Sequence, residues 1–140
     1  MFTLIDHIGM AVEDLDQAVA FYEDSFGVQD WERCEMPERS MKLASTKIGD
    51  TLIELIQPTS EQAAFAKFLK DKGPGIHHIA YRVEDINAAL EQLKARGVRL
   101  LDEKPRLGMH DTLTAFLHPK NGKQGVLMEL VQHQHSASHH

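Results

Sequence analysis

"IDHIGMAVEDL" at Ile5–Leu15 and "IHHIAYRVEDI" at Ile76–Ile86 are nearly the same eleven residues written twice, each with a histidine inside an apolar stretch. Placing His7 on His78 shifts the numbering by 71, and Val12-Glu13-Asp14 then meets Val83-Glu84-Asp85. Ala18-Val19 falls on Ala89-Leu90, and Gly27-Val28 on Gly97-Val98 with one residue deleted. A second pair, "TLIELIQ" from Thr51 and "VLMELVQ" from Val126, matches at a shift of 75 and aligns Glu54 with Glu129. Two matches in the same order along the chain point to a tandem structural repeat.

The segments between the matches support that reading. Residues 3–12 and 76–83 are short apolar runs suited to strands. In "DLDQAVAFYEDSF", Leu15, Ala18, Val19 and Tyr22 recur at helical spacing, with Asp14 or Asp16 near the N-cap and Gly27 placed to stop the helix. "DINAALEQLKARG" repeats the pattern with Ile86, Ala89, Leu90 and Leu93, ended by Gly97. Thr59/Ser60 followed by Glu61/Gln62 resembles a capping box and predicts a linker helix over about 59–72, broken at Gly73-Pro74-Gly75. Segments 40–57 and 111–132 read as strands joined by turns at Gly49-Asp50 and Pro119 to Gly122. Each half is then β-α-β-β-β. The expectation is an α+β fold in which two such modules, 3–57 and 76–132, form one domain over 1–132 with a mixed sheet curved around a cleft. Residues 133–140, "HQHSASHH" with His133, His135, His139 and His140, read as a flexible tail.

Composition narrows the function classes. The chain has 140 residues, 42% of them hydrophobic, enough for one core shared by two small halves. Charged residues interrupt every apolar run before the ~20 residues a membrane span requires, and no secretory leader pattern opens the chain. The expected protein is soluble and cytoplasmic, with no membrane partner. A net charge of −6 disfavours nucleic acid. Cys34, the single cysteine, excludes an internal disulfide framework and reads as a small semi-buried side chain.

Strand parity then gathers the polar side chains. Ile5, His7, Gly9 and Ala11 share one face, and Ile76, His78, Ala80 and Arg82 the equivalent face of the second half. Small Gly9 and Ala80 beside the histidines leave space in front of the sheet. Glu54 lies between Leu52 and Ile56 on its face, and Glu129 between Leu127 and Val131. A carboxylate in an apolar strand is costly to bury unless paired or coordinated. Singly, a strand histidine is commonly structural and a strand glutamate commonly faces solvent. Four such residues at matched positions of a repeat instead predict a shared divalent first-row metal, held by His7, Glu54, His78 and Glu129 with two positions left for substrate. His77 faces the other way and reads as structural. His118 reads as serving a strand-end turn, and His110 sits in a loop able to border the cleft.

The halves with "DHIGMAV" and "GIHHIAYRV" resemble the vicinal oxygen chelate superfamily of glyoxalases, bleomycin resistance proteins and dioxygenases over residues 3–132. Within it, "GIHHIAYRVEDINAALEQLKARGVRLLDEKPRLG" followed by "AFLHPKNGKQGVLMEL" is similar to the methylmalonyl-CoA epimerase family. The resemblance implies a homodimer, a cobalt-type divalent ion (Co2+, with Zn2+, Ni2+, Mn2+ or Mg2+ as alternatives), an acyl-CoA substrate, and ligands at His7, Glu54, His78 and Glu129. It implies proton transfer α to a thioester, with one acid/base group on each face of the carbon. Leu43 stands where some members carry a glutamate base, Ser40 replaces a common glycine, and "GMHD" stands where "GAHG" is usual. The expected bases are therefore Glu129 on one face and, on the other, Glu54 or a water held by His110. Lys94, Arg96, Arg99, Lys104 and Arg106 are candidate contacts for the CoA moiety. Rival readings are a glyoxalase-type isomerase of a glutathione hemithioacetal, an iron dioxygenase, which a fourth ligand at Glu54 disfavours, and a metal-free binding protein of the same fold.

Overall fold

The computed structural model describes residues 1–123 and 125–134. Eight strands and three α-helices run in the order β1 (Leu4–Ala11), α1 (Leu15–Phe26), β2 (Glu32–Met36), β3 (Met41–Ile48), β4 (Thr51–Pro58), α2 (Ala64–Lys72), β5 (Gly75–Arg82), α3 (Ile86–Ala95), β6 (Arg106–Leu107), β7 (Thr112–Phe116) and β8 (Leu127–His133). The expected β-α-β-β-β order occurs twice. The chain divides into two compact units, His7–His77 and a second that joins Met1–Asp6 to the residues from His78 onward.

In the first unit the strand order is β2-β3-β4-β1, with β1 parallel to β4 and the other pairs antiparallel. Leu15, Val19, Ala44 and Leu55 form its core, and Met10, Val12 and Ile53 pack against them. The even-numbered side of β1 and the odd-numbered side of β4 therefore face α1, which turns His7 and Glu54 to the other face. The second unit repeats this as β5-β8-β7-β6, with β5 parallel to β8. Its core comprises Val83, Ile86, Ala89, Leu90, Ala115, Leu117 and Leu130. Full burial of Leu130 or Ile86, both 0% exposed, contributes about 2 kcal/mol each.

The helices start alike in both units. Asp14 accepts from the Gln17 N–H and Asp85 from the Ala88 N–H. The repeat's glutamines add a second cap: Gln57 Oε1 accepts from the Leu15 N–H and Gln132 Oε1 from the Ile86 N–H, each at 2.8 Å. Four orphan N–H groups are thereby satisfied. Asp14, not Asp16, is the N-cap of α1, and Gly27 closes it with a φ of 70°.

Two segments differ from the sequence expectation. The linker helix begins at Ala64 with no side-chain cap, because Ser60 Oγ accepts from the Gln62 N–H and the Ala63 N–H donates to Ser60 O. The capping-type residues thus close a turn before the helix begins. His133 does not belong to a tail: it is the last residue of β8. His135, His139 and His140 lie outside the described residues.

Candidate functional site

Each unit carries one His–Glu pair on the face turned away from its helix. In the first, His7 Nε2 lies 4.0 Å from Glu54 Oε1, with side chains 12% and 14% exposed. Gly9 stands opposite Glu54 across β1/β4 and puts no side chain on that face. From β3, buried Ser45 pairs opposite Glu54 and buried Leu43 opposite Ile56. Leu43 therefore shares the Glu54 face, while Ala44 enters the helix-side core.

In the second unit, His78 Nε2 lies 3.8 Å from Glu129 Oε1, and the side chains are 7% and 9% exposed. Ala80 stands opposite Glu129 on one side and Phe116 on the other. The Phe116 ring meets His78 edge-on, with centroids 6.1 Å apart and planes at 88°. This pair therefore sits against an aromatic wall that the first unit replaces with a serine hydroxyl. An imidazole nitrogen and a carboxylate oxygen, buried together on one face, form a donor set suited to a divalent first-row ion.

The remaining histidines separate clearly. His77 packs against Phe65 and Phe68 of α2, with centroids at 4.4 and 5.0 Å. Burial, and then the nearby Lys72 charge, hold its pKa below the ordinary 6.5. His118 Nδ1 accepts from the Lys120 N–H in the turn after β7, the structural role expected of it. Its pKa is lowered by partial desolvation and then by the charges of Arg99 and Lys120. His110 is exposed on the β6–β7 connection, where it and Asp111 both have a φ of 57°. It is not part of the buried His78–Glu129 pair.

The run of cations divides by local partners. Lys94 on α3 pairs with Glu103 in the open, which raises its pKa first through the hydrogen bond and then through the charge. Arg106 lies 5.6 Å over the Phe116 ring and 3.4 Å from Asp102. Of these cations, Arg106 is the one seen to touch a residue bordering Glu129.

Three polar groups have structural partners that sequence reasoning missed. Gln57 and Gln132 cap the helices. Asp6, 9% exposed, accepts hydrogen bonds from Arg82 and pairs with His133 within the second unit. The signal for Asp6 was present: it is a carboxylate inside an apolar strand, the same anomaly that singled out Glu54 and Glu129.

Comparison with known proteins gives a consistent result. Residues 6–116 match the Glyoxalase/Bleomycin resistance protein/Dioxygenase superfamily. The chain is 40% identical over 129 residues to human mitochondrial methylmalonyl-CoA epimerase, covering 91% of this chain and 73% of that protein. It is 38% identical over 134 residues to the ethylmalonyl-CoA/methylmalonyl-CoA epimerase of Cereibacter sphaeroides, covering 94% and 99%. A solved variant of the Streptomyces coelicolor methylmalonyl-CoA epimerase, in complex with 2-nitronate-propionyl-CoA, superposes with a TM-score of 0.85 at 38% identity over 96% of each chain.

Proposed function

Because the chain belongs to the Glyoxalase/Bleomycin resistance protein/Dioxygenase superfamily and, within it, to the methylmalonyl-CoA epimerase family, we propose that it inverts C2 of methylmalonyl-CoA at a divalent ion held by His7, Glu54, His78 and Glu129. Its glyoxalase-like α+β fold is that of the solved epimerases. The observation that carries the reading is the His–Glu pair, buried in the second unit and partly buried in the first, repeated on the face away from the helix in both units.

His7, Glu54, His78 and Glu129 would hold the ion, Co2+ in this proposal, which would supply Lewis acidity for negative charge on the thioester oxygen. Glu129, walled by Phe116 and Val131, is proposed to take the C2 proton on one face. The C–H electron pair moves into the enolate, and a proton returns to C2 from the opposite face. Glu54 is the proposed partner for that delivery, with a water held by His110 as the other route, since Leu43 has no proton to give. Phe116 excludes water from the carboxylate of Glu129, and Arg106, stacked on its ring, is positioned to meet an anionic group of the thioester substrate. The proposed assembly is a cytoplasmic homodimer; among the described residues no helix is long and apolar enough to cross a membrane.

The test is deuterium incorporation at C2 of methylmalonyl-CoA by Co2+-loaded protein in D2O, read together with inversion of configuration. Exchange with inversion is expected. Absence of both, from protein that turns over methylglyoxal with glutathione, overturns the proposal.

A further inference from the structure

The second unit contains a charged cluster around the buried carboxylate of Asp6, with the side chains of Arg82 and His133 28% and 27% exposed, that the proposed chemistry does not use. Asp6 Oδ1 accepts from Arg82 Nε at 2.9 Å and Arg82 Nη2 at 2.8 Å, and lies 2.7 Å from His133 Nε2. An ionised carboxylate oxygen only accepts, so this contact requires a proton on Nε2, in the neutral or the charged ring. Three donors on one oxygen tie β5 and β8 to the start of the chain.

The position of these donors is specific. Arg82 ends β5 four residues beyond His78, and His133 ends β8 four residues beyond Glu129. At a rise of ~3.3 Å per residue, each stands about 13 Å along its strand from the proposed metal ligand. The register between these parallel strands pairs His78 with Leu127 and Arg82 with Val131. No hairpin sets that register, because a long crossover separates the strands in sequence. A slip of one residue would turn Glu129 into the helix-side core.

Under the repeat, His77 is the counterpart of Asp6, Ala11 of Arg82 and Pro58 of His133. The module can therefore be built without this cluster, which argues against its being a generic requirement of the fold. Buried ion pairs are in any case weak sources of stability, and their best attested use is to select one arrangement over its neighbours.

We infer that Asp6 is a positioning residue: by binding Arg82 and His133 together it pins β5 against β8 and so holds His78 Nε2 and Glu129 Oε1 at a separation suited to one ion. The inference rests on the reading of His78 and Glu129 as metal ligands. Asp6 also immediately precedes His7, so the same carboxylate anchors the chain beside a third proposed ligand.

The experiment uses the full chain and four proteins: wild type, Asp6→Asn, His133→Gln and His133→Leu. Co2+ affinity is measured by calorimetric titration and the Co2+ visible spectrum is recorded, with circular dichroism as the control for folding. Asp6→Asn is expected to lower Co2+ affinity by about 10- to 100-fold and to alter the spectrum, as loss of a group that orients ligands does. His133→Gln keeps an N–H donor and should retain affinity within about threefold, whereas His133→Leu should lose as much as Asp6→Asn. A folded Asp6→Asn protein with wild-type affinity and spectrum overturns the inference alone. Should that variant fail to fold, equal affinities of the two His133 variants overturn it instead. Wild-type protein that binds no Co2+ overturns the ligand reading and the inference with it.

Discussion

The two units solve the same packing problem and then diverge at their polar faces. Both place one strand parallel to another, cap the following helix with an aspartate and a distant glutamine, and carry a His–Glu pair on the face away from that helix. The first pair sits beside the hydroxyl of Ser45 and is the more exposed; the second sits beside Phe116 and is nearly closed off. Asp6, Arg82 and His133 brace the second pair's strands, while the position repeating Asp6 holds His77, packed on two phenylalanines. Duplication thus preserved the scaffold while the surroundings of the two carboxylates separated. In the proposed reaction one acid/base group must accept while the other donates, and unlike surroundings favour such a division.

The sharpest way to break this comparison is to remove one charge at a time. Glu129→Gln is expected to lower kcat by about 10³-fold, within the range for loss of a general acid or base. Glu54→Gln should cost about tenfold less, since its more open, hydroxyl-lined setting admits water as a substitute. Steady-state epimerisation rates and metal content check both, and an unchanged rate and metal affinity in Glu54→Gln removes Glu54 from the proposed site.

A smaller effect tests the shared scaffold. Gln57→Ala and Gln132→Ala each delete a helix-capping acceptor at 2.8 Å, and each should cost about 1 kcal/mol in chemical denaturation. Equal losses would confirm that the two helix starts are energetically equivalent; a loss in one alone would show that the repeat has diverged there too.

The smallest effect concerns His77, the counterpart of Asp6. Its pKa in the folded chain lies below 6.5, first through burial and then through Lys72. Between that lowered value and 6.5 the unfolded chain binds more protons, so stability increases with pH across this window. The contribution is complete above 6.5 and is lost as pH falls toward the folded value. His77→Leu should flatten that part of the stability profile, as followed by urea midpoints between pH 5 and 7.

Much of the site was legible because parity is a local property. His7 and Gly9, or Glu129 and Val131, share a face by their spacing alone, and the core clusters place their neighbours on the opposite side. Leu43 was singled out by the family resemblance rather than by alternation, and its register opposite Ile56 puts it on the Glu54 face. The linker helix started late because Ser60 could cap either a helix or a turn, and nothing within four residues decides between them. Strand β6 reduces to two residues for a related reason: Asp102, a loop residue, takes the Phe116 N–H that a strand neighbour would otherwise bind.

By itself, the sequence determined the duplication, the type of each principal element, and which side chains share a face, since periods of 3.6 and 2.0 are set by the backbone of a few consecutive residues. Only the tertiary structure decided that Gln57 caps Leu15, that Gln132 caps Ile86, and that Asp6 meets Arg82 and His133 across 76 and 127 positions. The physical reason is that a buried polar group must find a partner wherever the folded chain brings one, and a partner so distant leaves no periodic trace in the residues around either group.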